Sequence, residues 1–147
     1  MRILGLDIGT KRIGVAISDE SCTIARGLGI LERDGKEINK IKEIIEKYNI
    51  EKIIYGLPLR MDGSISGQTE LVISFISKLK NEIKIPLKEW DERLSTKNAE
   101  TILIQADISR KKRKKLIDKL SAQIILQNYL DSKTLENKTI EDIEPEY

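Results

Sequence analysis

The alternation of apolar and polar positions along this chain changes period repeatedly. Residues 2–8 and 12–18 are short, nearly continuous apolar runs joined by Gly9-Thr10-Lys11-Arg12, and residues 23–31 form a third run punctuated by Gly27 and Gly29. Runs of this length between glycine turns predict three successive strands. From Gly35 the period becomes helical: Ile38, Ile41, Ile44, Ile45 and Tyr48 fall on one face of a helix of about three turns. Residues 51–57 predict a fourth, more buried strand, followed by a loop from Pro58 to Gly67. A second helix carries Leu71, Val72, Phe75, Ile76 and Leu79 inward, and residues 85–90 predict a fifth strand. Ser95 or Thr96 caps a third helix with Ala99, Ile102, Leu103 and Ala106 inward. A last helix covers roughly 114–131, and its apolar arc (Leu116, Leu120, Ile124, Ile125, Tyr129 and their neighbours) is wide enough for burial on two sides. The stretch from Lys133 to Tyr147 is polar and acidic, as a frayed or loosely docked tail would be.

Three strands in succession, then helix, strand, helix, strand and helix, imply an α/β domain. Its sheet is mixed, an antiparallel meander extended by parallel βα units. The 147 residues suffice for one core, and with aromatics at only 4% that core is built from aliphatic side chains. No apolar run approaches the roughly 18–20 residues of a membrane span. The chain opens directly into a strand pattern without the regions of a signal peptide, so a cytoplasmic location is expected.

Two residue types narrow the chemistry by their scarcity. A single cysteine, Cys22, excludes an internal disulfide and a multi-cysteine zinc site, and fits a small, partly buried residue. The absence of histidine excludes Ser-His-Asp and Cys-His arrangements and His-based zinc sites. Hydrolysis here must use carboxylates, lysines, hydroxyls or metal-bound water, and oxygen-only ligands point to Mg²⁺ or Mn²⁺.

Net charge is +2, but six consecutive basic residues, Arg110-Lys111-Lys112-Arg113-Lys114-Lys115, dominate it. Without them the balance is 20 basic against 24 acidic residues, or −4. A mildly acidic chain with one concentrated basic run suits a polyanionic partner, the alternative being a solvated surface loop.

Carboxylates interrupt apolar surfaces at two places. Asp7 lies inside the first strand, where a charge is costly unless a cation or several hydrogen bonds receive it. Asp118 shares a helical face with Ala122, Ile125 and Tyr129. A third place, Asp91-Glu92-Arg93, stands where the fifth strand gives way to the third helix, at the rim where open α/β sheets place ligands. Taken singly, each has a structural explanation: backbone N–H groups around Asp7, a salt bridge from Lys114 or Lys115 to Asp118, helix capping by Asp91 and Glu92. Carboxylates forced together share a proton or bind a cation, and a pair of Mg²⁺ ions would serve phosphodiester cleavage. Arg60, in the Gly56–Ser64 loop, and the N–H groups around it form a weaker phosphate-binding candidate.

These residues resemble the YqgF family of pre-16S rRNA nucleases, relatives of the bacterial Holliday-junction resolvase. The likeness spans nearly all of residues 1–131. It rests on Leu6-Asp7-Ile8-Gly9-Thr10-Lys11-Arg12-Ile13-Gly14-Val15-Ala16 with Ser18-Asp19, on Gly56-Leu57-Pro58 with Gly63-Ser64, on Asp91-Glu92-Arg93-Leu94-Ser95-Thr96, and on Asp118 leading into Ala122-Gln123-Ile124-Ile125-Leu126. It implies an RNase H-like fold over 1–131, a five-stranded mixed sheet with its first three strands antiparallel and flanked by helices, followed by an acidic tail over 132–147. It also implies Mg²⁺- or Mn²⁺-dependent cleavage that processes the 5′ end of precursor 16S rRNA, on RNA or the pre-ribosome. Asp7 would be the central metal ligand, Asp118 the third acid, and Asp91 or Glu92 the second, with Glu92 favoured. Resolvases take a glutamate from the fourth strand, where this chain reads Ile54-Tyr55-Gly56-Leu57 without an acid. They also tend to carry two acids on the final helix, where only Asp118 is evident, which weakens a junction-resolving reading. Phosphate contacts would fall to Lys11, Arg12, Arg60, Arg93 and the run Arg110, Lys111, Lys112, Arg113, Lys114 and Lys115. The oligomeric state stays open.

Three alternatives accompany that expectation. A DNA-junction endonuclease would use the same acids. A nucleic-acid-binding module would use the basic residues alone. Asp-x-Gly-Thr after a first strand also resembles the phosphate loop of sugar kinases and actin, but those ATPases close two such domains on a nucleotide, and 147 residues supply one.

Overall fold

The computed structural model describes residues 1–92 and 120–133. Within them the predicted strands and the first two helices are present in order: β1 (Arg2–Ile8), β2 (Arg12–Ser18), β3 (Ala25–Glu32), α1 (Glu37–Tyr48), β4 (Ile50–Leu57), α2 (Gly67–Glu82) and β5 (Leu87–Asp91). Residues 120–133 are helical. The expected helix after Ser95, the basic run, the start of the last helix with Asp118, and residues 134–147 of the tail lie outside the described residues.

One five-stranded sheet runs in the order β3-β2-β1-β4-β5. β1 pairs antiparallel with β2, and β2 with β3, while β4 joins β1 and β5 in parallel. This is the expected meander extended by βα units. Two strand boundaries shift for local reasons. β3 starts at Ala25 because the Asp19 carboxylate draws the N–H groups of Thr23 (2.8 Å) and Ile24 (3.1 Å) into a turn. β5 starts at Leu87 because Pro86 has no N–H to give to the ladder; its carbonyl accepts from Ile53 N–H at 3.0 Å.

The sheet buries both faces, which is why its strands read as continuous apolar runs rather than strict alternation. On one face Leu4, Leu6, Ile8, Ile13, Val15, Ile17 and Ile53 pack with Ile41 of α1 and Val72, Phe75, Ile76 and Leu79 of α2. On the other, Ile3, Ala16, Ala25 and Ile54 pack under Ala122, Ile125, Leu126, Tyr129 and Leu130 of the 120–133 helix. Each Leu, Ile, Val or Phe among them contributes about 1.5–3 kcal/mol when fully buried. Gly5 sets how closely that helix approaches: a Cβ there would stand 2.8 Å from Leu126 Cβ and 3.1 Å from the Ala122 carbonyl oxygen.

Polar details close the ends. Ser66 and Thr69 form a reciprocal capping box at the start of α2. Asn49, left-handed at φ 54°, ends α1 with its N–H on the Ile45 carbonyl. Ser18, fully buried, accepts the Ile3 N–H at 2.8 Å, so its hydroxyl supplies a ladder bond and is not a cap.

Candidate active site

Asp7 is the penultimate residue of β1, opposite Gly14 of β2, and half-buried. Strand alternation places it with Ile3 and Gly5 on the sheet face under the 120–133 helix. Glu92 follows β5 directly, and its N–H donates to the Leu57 carbonyl at 3.2 Å, extending the β4–β5 ladder by one bond. That bond aims the Glu92 side chain across β4 at Gly56. A Cβ on Gly56 would lie 2.7 Å from both Cγ and Cδ of Glu92, and 2.7 Å from Ile125 Cδ1. The position without a side chain on the fourth strand is thus the space that an acid from the fifth-strand end fills.

Glu92 and Asp7 are hydrogen-bonded to each other. The Glu92 carboxyl is pushed up to about 9, chiefly by burial, then by the hydrogen bond to Asp7 and the charge of Asp7, and last by the charge of Asp91. At neutral pH Glu92 therefore keeps its proton and donates it to the Asp7 carboxylate. Of the two neighbouring acids left open by the sequence, Glu92 touches Asp7, while Asp91 is exposed and reaches Glu92 through its charge.

Two carboxyl groups sharing one proton are a donor set that a divalent cation can take over by displacing that proton. Their oxygens suit Mg²⁺ or Mn²⁺, so the residues present fit the expected metal. No cluster of three or more metal-ligating side chains occurs among the described residues; Asp118, the expected third acid, lies outside them.

The strand end carrying Asp7 is held from the far side of the sheet. Arg33 donates to the Gly9 carbonyl at 3.1 Å and lies 4.9 Å from the centre of the Phe75 ring. Gln68 of α2 donates to the Ile8 carbonyl at 3.4 Å, and Gly9 N–H donates to the Arg12 carbonyl at 2.9 Å. Arg33 and Gln68 are missed by sequence reasoning because they lie 24 and 60 residues from their acceptors and follow no periodic pattern.

The candidate phosphate contacts fall into three groups. Lys11, exposed, and Arg12, half-buried, occupy the turn beyond Asp7. Arg60 is exposed in the loop after β4, where Leu59 and Ile65 bridge. The expectation of open amides in that loop needs correction. Arg60 N–H donates to the Ser64 carbonyl (3.0 Å), Gly63 N–H to the Arg60 carbonyl (2.7 Å) and Ser64 N–H to Asp62 Oδ1 (2.9 Å). The turn uses the N–H groups of Arg60, Gly63 and Ser64 internally, so of the expected contacts the exposed Arg60 side chain is the one left facing solvent. Arg93 and Arg110 to Lys115 lie outside the described residues.

A family model described as "RuvX: Holliday junction resolvase" matches residues 1–132. The chain belongs to the RuvX family. A relative from Desulforamulus reducens, named "Putative pre-16S rRNA nuclease", is 53% identical over 134 residues, 90% of this chain and 98% of its own length. One of the same name from Caldanaerobacter subterraneus subsp. tengcongensis is 55% identical over 135 residues, 90% of this chain and 97% of its own. Among solved structures, Thermus thermophilus RuvC in complex with a Holliday junction substrate superposes with a TM-score of 0.58 at 14% identity, covering 91% of this chain and 96% of that one. The fowlpox virus Holliday junction resolvase gives 0.52 at 17% identity, covering 90% and 99%. At those identities the likeness is one of fold, and it agrees with the RNase H-like mixed sheet expected for this chain.

Proposed function

We propose that this RuvX-family chain is a divalent-metal-dependent nuclease that hydrolyses phosphodiester bonds of RNA, acting in the cytoplasm on the 5′ end of precursor 16S rRNA, free or within the pre-ribosome. The observation that carries it is the Asp7–Glu92 contact: a protonated carboxyl held against a carboxylate at the C-terminal rim of parallel strands. The names of relatives at about half identity support RNA as the substrate.

Asp7 and Glu92 would hold the cation, with Asp118 as the third acid. Support for Asp118 is its spacing from Ala122, Ile125 and Tyr129, all buried against the sheet. When bound, Mg²⁺ or Mn²⁺ supplies Lewis acidity at the scissile phosphate. Glu92 would give up its proton to serve as a ligand, Asp91 adds its charge at the rim, and Arg33 and Gln68 fix the strand end on which Asp7 is mounted. Lys11, Arg12, Arg60, Arg93 and the run from Arg110 to Lys115 serve the phosphate backbone without reading sequence.

A four-way DNA junction is the second reading, favoured by the description of the family model. The test sets a labelled 16S precursor leader beside such a junction, each with Mg²⁺ or Mn²⁺. Cutting of the leader alone upholds the RNA reading, and cutting of the junction alone replaces it with the DNA one. Binding of both without cutting by any divalent ion leaves a binding module.

A further inference from the structure

On the sheet face that carries Asp7, β5 and its neighbours present a row of side chains with a second chemistry. Lys88 and Trp90 alternate along β5, and Glu92 follows at the same two-residue spacing. Beside Lys88, Tyr129 of the 120–133 helix gathers three cations from three elements. Lys52 Nζ of β4 and Lys88 Nζ each stand 5.5 Å from the ring centre, and Lys133 Nζ stands 5.7 Å from it. Any two of these ammonium groups therefore lie within about 11 Å of each other, twice the ring distance. Lys52 also donates to the Tyr129 hydroxyl at 2.9 Å. Among the described residues, Lys52 and Lys88 enter no ion pair with an acid. Trp90 stands edge-on to Tyr129, ring centres 6.1 Å apart at 84°, and remains partly exposed.

We propose that the row Glu92–Trp90–Lys88, widened by Lys52 and Lys133, is a track for a single-stranded polynucleotide, with Trp90 stacking a base and the lysines gripping phosphates on the side of the strand that leads away from the Asp7–Glu92 pair. The proposal rests on the nuclease reading only for where the reacting phosphate sits. A two-residue step on a strand is about 6.6 Å, so Lys88 lies roughly 13 Å from Glu92. A nucleic-acid strand advances at least about 3.4 Å per nucleotide, so two to four nucleotides cover that distance. Aromatic faces interleaved with cations form the general platform for single strands, tolerant of sequence because every base has a face to stack. A duplex is too wide to lay one base on Trp90 while its backbone follows the lysines. Among the described residues β5 is the edge strand, so the row lies along a margin of the sheet.

Trp90 is the only tryptophan in the chain, which makes it a built-in reporter. The metal-free protein in EDTA is titrated with oligo(U), with oligo(dT) and with a duplex of equal length, following Trp90 fluorescence, while labelled oligonucleotide anisotropy reports total binding. Saturable quenching by a single strand is expected, by both chemistries if backbone and base face suffice, by oligo(U) alone if the 2′-hydroxyl contributes. The exposed Lys88→Glu should weaken anisotropy-detected binding about tenfold and lower the slope of log affinity against log salt by about 0.7 per lost phosphate contact. Trp90→Ala should cost roughly tenfold, and Trp90→Phe should restore most of it, separating stacking from a packing defect. Anisotropy-detected binding without quenching, an unchanged affinity and salt slope in Lys88→Glu, or quenching by the duplex alone overturns the proposal. Cleavage with Mg²⁺ is scored separately. A protein that cuts but shows no quenching refutes the track and spares the nuclease, and one that quenches without cutting does the reverse.

Discussion

Replacing Glu92 by glutamine should make the metal-free protein more stable, and increasingly so as pH rises. The Glu92 carboxyl moves from an ordinary 4.5 in the unfolded chain to about 9 in the fold. Below pH 4.5 both states carry its proton and folding bears no penalty. Between 4.5 and about 9 the unfolded chain releases the proton while the folded chain keeps it. Stability of the metal-free protein then falls by about 1.4 kcal/mol per pH unit and levels off above that window. At pH 7 the accumulated cost is about 3 kcal/mol. Glutamine is neutral in both states and its amide can still donate to Asp7, so Glu92→Gln should recover most of that cost. For a chain of this size the gain corresponds to a Tm roughly 9 °C higher at pH 7 and no gain near pH 4.5. The assay is thermal unfolding in EDTA at half-unit steps from pH 4.5 to 9, wild type beside variant. A Tm difference that stays flat across the window, or a less stable variant at pH 7, refutes the shared-proton account. Added Mn²⁺ should reverse the order, since the wild type gains binding energy that the amide forgoes.

Two further substitutions probe how the site is built. Gly56→Ala inserts a Cβ 2.7 Å from Glu92 and Ile125; it should destabilise by about 1–3 kcal/mol and depress cleavage, checked by denaturant unfolding and single-turnover rates. Ser18→Ala removes the buried acceptor of the Ile3 N–H and should cost about 1–3 kcal/mol in unfolding free energy, with cleavage retained at temperatures where the variant is folded.

Over residues 1–92 the strands and helices are legible because each switch of period in the sequence coincides with a switch of element, and because burial on both faces makes β1, β2 and β4 continuously apolar. Asp7 stood out as an acid in such a run. The choice between Asp91 and Glu92 was harder to read, since it depends on which face of β5 each side chain takes, and that follows from the Gly56–Trp90 and Leu57–Asp91 register. Gly56 was visible only as a missing acid; its role as the place into which Glu92 folds belongs to two strands at once. Ser18 carries no local signal of its role, because its hydroxyl satisfies a backbone donor 15 residues away. Arg33, Gln68 and the lysines around Tyr129 left no local signal, because each meets its partner only after the sheet and helices are assembled.

If the fold brings Asp7 and Glu92 together as a divalent-metal site, the cation must replace a proton. Calorimetric titration of Mn²⁺ at pH 7, repeated in two buffers of different ionisation enthalpy, counts the protons released on binding. Saturable binding is expected, with about one proton released in the wild type, none released by Glu92→Gln, and loss of binding in Asp7→Asn. Equal binding by wild type and Asp7→Asn, or binding without proton release, would contradict this expectation.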